Sequence, residues 1–322
     1  MRVGLLGVSH WHAPLHAAAV EAAGAALSTV WDDDPATAAA FAARHGAAAT
    51  ASADQAIAGC DLVVVMGRPD GVLTLAQAAV ALGRPMILEK PAARRAEPLA
   101  QLAALAATAR AFVAVPLPNR LGPAMVELES LRTTGRAGKL AHAHFRLING
   151  PPGRYRLDAV GWMLDPALSG GGALRNLGIH GVDGVLALAS GTVRLVSAII
   201  GNRLHGESVE DYALLVLEDE AGAVFTVEAG YTFASMRPGG DFEWRIATAN
   251  AYLVDLGETA HAATLDDEGR RVLEARPPSI RYNLFMADTL ARLRAGRPPL
   301  VGLDDYVRAM RLIDQAYGAS AK

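Results

Sequence analysis

The sequence predicts an α/β protein, with a doubly wound parallel sheet followed by an α+β region that has an open, mostly antiparallel sheet. Two observations support this fold class. Over the first 120 residues, continuous apolar runs alternate with helical patterns, as in repeated strand–helix–strand units. Beyond that point, stretches of alternating apolar and polar residues predominate, which is typical of a sheet covered on one face. We therefore expect domains at 1–120 and 121–322.

The first domain is predicted from apolar strands separated by helices. The strands are expected at 2–8, 26–32, 60–67, 85–91 and 111–117. The intervening helices are expected at 12–23, 35–45, 72–83 and 95–109. Alanine-rich tracts at 36–51 and 99–111 are also predicted to be helical, because alanine is the best helix former.

The second domain begins with a predicted helix at 122–135 and has another at 173–189. Alternating stretches predict strands at 139–147, 193–200, 211–219, 222–232, 241–249 and 251–257. Two helices follow in the tail, and Asp304 is the expected cap of the last one. We expect that C-terminal helix, at 303–318, to pack back on the first domain.

Composition excludes several classes of protein. The net charge of −3 and the lack of a basic run argue against nucleic-acid binding. No uninterrupted apolar stretch is long enough to predict a membrane span, and no signal peptide is predicted. The single cysteine, Cys60, excludes a disulfide framework and indicates a reducing compartment, so we expect a cytoplasmic protein.

The stretch "VGLLGVSHWHAP" (3–14) joins the first strand to the first helix, where a phosphate-binding loop belongs. Such loops usually contain three glycines, for the turn, the approach of the phosphate and the helix–strand contact. Here Gly7 occupies the first position, whereas Ser9 and His12 occupy the other two. We interpret the stretch as a modified nucleotide-binding loop, with His10 also lining the cofactor site.

The end of the second strand indicates which nucleotide binds. Asp32 lies near the spacing expected for the carboxylate that binds the adenosine ribose hydroxyls. Asp33 adds negative charge that repels a 2′-phosphate, so NAD is favoured over NADP. Alternatively, Asp33 and Asp34 start the helix at Pro35, with an aspartate as its cap. Both interpretations can hold for different residues.

The histidines also suggest a rival interpretation. "HWH" resembles the metal-binding pair of amidohydrolase barrels, and His12 and His16 lie four apart on one helical face. Such a barrel needs eight strand–helix units, which the second half does not show, so we expect no metal. We instead expect His16 and Trp11 to be packing residues.

Two further motifs point to a family. "ILEKPAA" (87–93) ends a predicted strand, and "SGGGALRNLGIHGVD" (169–183) follows "WMLDPAL". Supporting matches are "NRLGP" (119–123), "GRAGKL" (135–140), "VEDYA" (209–213) and the run from 295 to 321. Together they resemble the glucose–fructose oxidoreductase/inositol dehydrogenase (Gfo/Idh/MocA) family over essentially the whole chain.

The resemblance implies a nicotinamide-binding Rossmann domain and a C-terminal domain whose open sheet serves oligomer contacts, as a homodimer or homotetramer. It implies a sugar, polyol or derivative as substrate. The family's lysine falls on Lys90 and its histidine on His180, while its usual aspartate is replaced by Asn176. These three are the predicted catalytic residues.

The chemistry of alcohol oxidation agrees with these roles. It needs a base for the hydroxyl proton while hydride leaves for the nicotinamide, and histidine titrates near neutral pH. The ammonium of Lys90 can stabilise a developing alkoxide. The predicted cofactor-binding residues are Gly7, Ser9, His10, His12, Asp32, Asp33, Gly67, Arg68, Pro69, Glu89 and Lys90. The predicted substrate-binding residues are Arg120, Arg154, Tyr155, Trp162, Asn176 and His180.

Three functions follow from these patterns. The first is an NAD-dependent dehydrogenase that moves hydride between nicotinamide and a secondary alcohol of a sugar, polyol or derivative. The second is a non-catalytic ligand sensor or regulatory protein, which Asn176 and the altered loop favour. The third is a histidine–metal-dependent hydrolase.

Overall fold

The computed structural model describes residues 1–266 and 269–320. The chain forms two compact units. The first contains Met1–Pro116, Ala167–Gly170 and Tyr282–Arg308. The second contains Leu117–Pro166, Gly171–Arg281 and the chain from Ala309 onwards.

A six-stranded parallel sheet forms the core of the first unit, in the order β3-β2-β1-β4-β5-β6. Its strands are β1 Arg2–Leu6, β2 Ala26–Trp31, β3 Ala48–Ala49, β4 Leu62–Val65, β5 Met86–Leu88 and β6 Val113–Ala114. The central strands β4 and β5 are apolar and buried throughout, as expected of parallel strands covered on two faces. The predicted doubly wound sheet is confirmed.

Helices connect these parallel strands. They are α1 Ala13–Ala22, α2 Pro35–His45, α3 Ala53–Ala58, α4 Val72–Ala81 and α5 Ala96–Thr108. The prediction of helix throughout 36–51 was wrong, because Gly46 ends α2 in a left-handed conformation with φ of +66°. The next residues form β3 at the sheet edge, where pairing with β2 overrides the helix propensity of alanine.

The second unit contains an eight-stranded sheet in the order β14-β13-β12-β11-β7-β10-β9-β8. Its strands are β7 Leu140–Asn149, β8 Val193–Gly201, β9 Tyr212–Asp219, β10 Val224–Gly230, β11 Gly240–Thr248, β12 Ala251–Asp255, β13 Ala260–Thr264 and β14 Arg270–Leu273. Every neighbouring pair is antiparallel except β7 and β10, which are parallel. The prediction of a mostly antiparallel sheet is confirmed.

One face of this sheet is covered by helices and the other is open. The covering helices include α6 Pro123–Thr133 and α9 Ile179–Leu188. Strand β9 accordingly alternates between buried and half-buried residues. A Cβ at Gly181 would lie 2.3 Å from the ring of Phe145, and one at Gly184 would lie 2.3 Å from the ring of Trp244. These two glycines therefore let α9 approach the sheet closely.

Several shorter elements lie between β6 and α9 in the chain. They are a 3₁₀ turn at Pro118–Leu121, α7 Gly153–Leu157, a second 3₁₀ turn at Gly161–Leu164, α8 Pro166–Ser169 and a π-helical turn at Leu174–Gly178. The π-helical turn runs directly into α9. The predicted helix at 173–189 is thus present, but its first turn is wound more loosely than an α-helix.

Two long helices end the chain, α10 Pro278–Arg294 and α11 Leu303–Ser320. The predicted cap at Asp304 was wrong, since Asp304 already lies inside the first turn of α11. Instead, the backbone N–H of Gly302 donates to Asp305 Oδ2 at 3.0 Å. Neither α10, α11 nor any other described helix has the length and apolar character required to cross a membrane.

Candidate active site

Gly7 forms the turn at the end of β1. Its φ is +76°, and a Cβ there would lie 2.2 Å from the carbonyl oxygen of Met66. Any other residue would therefore clash with the backbone after β4, so this position keeps the requirement for glycine expected of a nucleotide-binding loop.

Asp32 fixes the loop from the end of β2. The backbone N–H of Ser9 donates to Asp32 Oδ2 at 2.7 Å, and that of Asp34 donates to Asp32 Oδ1 at 3.1 Å. Asp34 caps α2 by accepting from two backbone N–H groups. The hydrogen bond from the Thr37 hydroxyl, together with these two backbone bonds, lowers the pKa of the exposed Asp34 carboxyl. The structure thus confirms an aspartate cap, at Asp34, whereas ribose binding by Asp32 stays a prediction, and Asp33 is exposed.

His10 is a buried donor in the same loop. Its Nδ1 accepts from the backbone N–H of His12 at 3.1 Å, and burial and the charge of His12 hold the pKa of His10 well below its usual value. A neutral ring that accepts at Nδ1 carries its hydrogen on Nε2. That Nε2 is buried and has no hydrogen-bond partner among the described residues. A bound phosphate or carbonyl oxygen would satisfy it.

The carboxylate of Glu89, directly after β5, contacts hydrogen-bond donors from several residues. Oε2 lies 2.6 Å from His16 Nε2, and Oε1 lies 3.3 Å from His12 Nδ1 and accepts from the backbone N–H of Lys90 at 2.9 Å. His16 is fully buried and its ring contacts Tyr282, as expected of a packing residue, but it also binds this carboxylate, which the sequence did not indicate. Burial alone would raise the pKa of Glu89, but the charge of His12 and the bonds from both histidines hold it well below its usual range.

Tyr282 and Lys90 complete this cluster in the first unit. The Tyr282 hydroxyl lies 3.0 Å from His12 Nδ1, and burial beside Glu89 raises the pKa of the phenol well above its usual value. Lys90 is 3% exposed. Burial lowers the pKa of its ammonium, whereas the negative charge of Glu89 opposes that shift. We define residues His10, His12, His16, Glu89, Lys90 and Tyr282 as the histidine–glutamate cluster.

The segment after β4 adds three predicted cofactor-binding residues, Gly67, Arg68 and Pro69. Arg68 is exposed and forms an ion pair with Asp70 at 3.0 Å. Gly67 has a φ of +149° and is half-buried. Their assignment to the cofactor stays a prediction.

In the second unit, the π-helical turn presents the predicted catalytic pair. Asn176 lies in this turn and His180 lies in the first turn of α9. Single π-helical turns are rare and occur frequently at functional sites, because they displace side chains from ordinary helical positions. The sequence predicts a helix here but contains no signal for this local unwinding.

Asn176 is surrounded by phenols. Its side-chain Nδ2 donates to the hydroxyl oxygens of Tyr155 at 3.1 Å and Tyr231 at 3.2 Å. Burial raises the pKa of Tyr155 to about 12 and that of Tyr231 well above its usual value. The three side chains therefore form an uncharged hydrogen-bonding cluster at neutral pH.

Glu210 anchors the glycine run that leads into the π-helical turn. Its Oε2 accepts from the backbone N–H of Gly172 at 2.8 Å, and its Oε1 accepts from that of Leu174 at 2.9 Å. The Tyr317 hydroxyl donates to Oε1 at 2.7 Å. The carboxylate thus satisfies N–H groups at the start of the helix, where negative charge is favourable.

The other predicted substrate-binding residues have these surroundings. Arg120 binds Asp183 of α9 through two bonds of 2.9 and 2.6 Å. Arg154 donates to the carbonyl of Gly239 at 3.2 Å, and Trp162 is half-buried in a 3₁₀ turn. Arg120 and Arg154 therefore form hydrogen bonds within the protein. A role in binding substrate stays a prediction for Arg120, Arg154 and Trp162.

Sequence reasoning missed several residues that build these clusters: His16, Glu210, Tyr231, Tyr282 and Tyr317. Glu210 lies in "VEDYA", which supports the family resemblance, but nothing in that motif indicates its distant backbone partners. Tyr231 and Tyr282 stand in an ordinary strand-end and helix pattern. Their partners are far away in sequence, so no local signal could identify them.

The comparisons with known proteins agree with this geometry. Residues 1–117 match the oxidoreductase family with an NAD-binding Rossmann fold, and residues 125–254 match the GFO/IDH/MocA C-terminal domain. The chain belongs to the Gfo/Idh/MocA family. It is therefore an NAD-dependent oxidoreductase by family, and the resemblance noted in the sequence is confirmed.

Solved structures show the same fold at low identity. UDP-N-acetylglucosamine 3-dehydrogenase GnnA from Acidithiobacillus ferrooxidans is 22% identical, with a TM-score of 0.82, over 100% of this chain and 98% of that one. An NAD-binding oxidoreductase from Klebsiella pneumoniae is 19% identical, with a TM-score of 0.87, over 100% and 97%. Levoglucosan dehydrogenase, in complex with NADH and levoglucosan, is 18% identical, with a TM-score of 0.88, over 100% and 97%. No protein of curated function matches significantly.

The residues present fit NAD and not the rival hydrolase. Gly7 keeps the tight turn, Asp32 is placed at the end of β2, and His10 offers an unsatisfied buried donor. An open sheet in the order β3-β2-β1-β4-β5-β6 is incompatible with an amidohydrolase barrel. In the described residues, no group of three His, Cys, Asp or Glu side chains is arranged to hold a metal ion.

The buried donor of His10 generates one prediction. His10→Asn keeps an acceptor near the position of Nδ1 but removes Nε2–H, so the dissociation constant for NADH should rise about tenfold, as expected for one lost hydrogen bond. Fluorescence titration measures it. His45→Asn, at an exposed histidine on α2, is the matched control and should leave the constant unchanged. Equal affinity in both variants would contradict the assignment of His10.

Glu210 generates a second prediction. Glu210→Gln turns one oxygen into an amide that must face a donor, so the free energy of unfolding should fall by about 1–3 kcal/mol. Denaturant unfolding of the full chain measures it. Glu207→Gln weakens a pair between the half-buried Glu207 and the exposed Arg156, and it should cost less than about 1 kcal/mol. If the two variants lose the same stability, Glu210 does not anchor the turn.

Proposed function

We propose that the protein oxidises a secondary alcohol of a sugar, polyol or derivative, with transfer of hydride to NAD, and catalyses the reverse reduction. The observation that supports this most directly is Lys90, a buried lysine on whose ammonium the negative charge of Glu89 acts, in the first unit of an NAD-binding family. When bound, the nicotinamide ring supplies the hydride acceptor.

Lys90 is proposed to bind the reacting substrate oxygen. A positive charge in a site sheltered from water stabilises an alkoxide more strongly than the neutral alcohol, which lowers the barrier to hydride loss. The nearby carboxylate of Glu89 favours the protonated lysine despite burial. Lys90 therefore serves as the electrostatic stabiliser of the developing alkoxide.

His180 is proposed to accept the proton of the substrate hydroxyl while hydride leaves the carbon that bears this hydroxyl. Its neighbour on the preceding turn, Asn176, is neutral and cannot stabilise an imidazolium by charge. His180 should therefore have a lower pKa than an aspartate at position 176 would give it. This favours the neutral, proton-accepting ring at neutral pH.

The proposed substrate class rests on the uncharged cluster of Asn176, Tyr155 and Tyr231. Amide and phenol groups donate to and accept from hydroxyl groups without requiring a charged substrate. GnnA and levoglucosan dehydrogenase, which share this fold, are named for carbohydrate substrates. The same class, a sugar or polyol, is proposed here.

We also propose a cytoplasmic homo-oligomer, a homodimer or homotetramer. The open face of the eight-stranded sheet carries exposed apolar side chains on β8, including Val196 and Ile199, which are 49% and 56% exposed. The single cysteine, Cys60, is free and buried, which fits a reducing compartment. Light scattering during size-exclusion chromatography would determine the oligomeric state.

Two substitutions test catalysis. Lys90→Met and His180→Asn should each lower kcat by about 10²- to 10⁴-fold on whichever sugar of a screening panel is turned over. NADH affinity of His180→Asn should remain within a few-fold of the wild-type value, because that change removes no contact of the nucleotide-binding loop. Wild-type protein that binds NADH but turns over no sugar or polyol would favour the sensor function instead.

The neutral residue at position 176 gives a prediction about pH. Asn176→Asp should raise the pKa of His180, so the acid limb of the kcat/KM profile for alcohol oxidation should move to higher pH by about one unit. Activity is then lost sooner as the pH falls, because a larger fraction of His180 is protonated. Asn202→Asp adds the same charge at an exposed position and is the control. An unshifted profile would refute the pairing.

A further inference from the structure

His12 lies in the nucleotide-binding loop and also contacts Glu89 in the histidine–glutamate cluster. It is the residue immediately before α1, at the third position of the nucleotide-binding loop, where the helix N-terminus favours negative charge. It also contacts the carboxylate of Glu89, directly after β5. The side chain that replaces a loop glycine therefore reaches the segment that carries Lys90.

The positions of the hydrogens follow from the contacts. His12 Nδ1 faces Glu89 Oε1 at 3.3 Å and the Tyr282 oxygen at 3.0 Å. An ionised carboxylate only accepts hydrogen bonds, so Nδ1 carries a hydrogen when it faces Oε1. The nitrogen that gains or loses a proton is then Nε2, and the His12 side chain is 15% exposed.

Charged and titratable groups face His12 from each neighbouring element. They are His10 in the loop, His16 on α1, Glu89 and Lys90 after β5, and Tyr282 on α10. Burial lowers the pKa of His12, Glu89 raises it, and Lys90 and His16 lower it further. The net result is a pKa of His12 below its usual value, which favours the neutral ring in the protein without ligand.

A single oxygen connects His12 with the lysine. Glu89 Oε1 contacts His12 Nδ1 and also accepts from the backbone N–H of Lys90 at 2.9 Å. The other oxygen, Oε2, is held by His16 at 2.6 Å. Any strengthening of the bond from His12 therefore acts on the atom that positions the backbone of Lys90.

We propose that His12 is a positioning residue that binds the cofactor pyrophosphate as an imidazolium and, through Glu89 Oε1, couples the occupied loop to Lys90. The proposal rests on NAD binding at this loop and not on the proposed substrate. An anion at the start of α1 favours the charged ring, and the charged ring donates more strongly to Glu89. A loop with glycine at this position cannot make this connection.

Coupling of this kind makes cofactor affinity depend on pH. The pKa of His12 lies below its usual value in the free protein and should rise in the complex. Between these two pKa values, binding takes up a proton, so affinity increases as the pH falls; above the higher one, affinity is constant. Each unit of pKa rise corresponds to a tenfold gain in affinity at low pH.

The first experiment titrates NADH into the full-length protein by fluorescence from pH 5.5 to 8. For the wild type, the dissociation constant should decrease as the pH falls, by up to about tenfold for each unit by which the pKa rises on binding. His12→Asn keeps a donor near the position of Nδ1 but cannot become charged, so its constant should not change with pH. His10→Asn should bind more weakly yet keep the wild-type slope. A wild-type constant independent of pH, or an unchanged slope in His12→Asn, would overturn the proposal.

The second experiment measures coupling between His12 and Glu89 at pH 6. His12→Asn and Glu89→Gln should each weaken NADH binding, and the double variant should be no weaker than the worse single variant, because each change removes the same charged contact. The pair His10→Asn and Glu89→Gln should instead be additive. Additive losses for His12 and Glu89 would disprove the coupling. Neither measurement uses turnover, so failure of the proposed catalytic function leaves this test intact.

Discussion

The hydrogen bonds to the buried carboxylate of Glu89 are the interactions on which the histidine–glutamate cluster depends. Removing a carboxylate from water costs several kcal/mol unless donors replace the lost hydration. Those donors come from separate parts of the chain: His16 on α1, His12 in the loop and the backbone of Lys90. Because all of them must converge for the charge to be tolerated, the nucleotide-binding loop and the end of β5 are tied to one another.

The second unit uses the same physical device. The buried carboxylate of Glu210 accepts from two backbone N–H groups and from Tyr317, and so fixes the entry into the π-helical turn. In each unit, a carboxylate holds the backbone near a predicted catalytic residue, Lys90 in the first and Asn176 in the second. The surroundings differ in charge, because the negative charge of Glu89 acts on Lys90 whereas Asn176 is bonded to two neutral phenols.

The loop residues that depart from the family's glycine pattern acquire a physical explanation. Ser9 still supplies its backbone N–H to Asp32, so the loop keeps its anchor without a second glycine. At the third glycine position of the loop, the imidazole of His12 is large enough to contact Glu89. The altered loop therefore keeps the backbone anchoring that a nucleotide-binding loop needs, which agrees with the match of residues 1–117 to an NAD-binding family.

The sequence by itself determined the elements whose signals are local. Apolar runs predicted β4 and β5, "VWDDDP" predicted an aspartate cap at α2, and the motifs around Lys90 and His180 indicated the family. Only the tertiary structure decided what depended on distant partners. It placed His16 and His12 on Glu89, turned 174–178 into a π-helical turn, and ended α2 before β3. The reason is physical: periodicity and capping act over a few residues, whereas a buried charge is stabilised by whichever donors the fold brings to it.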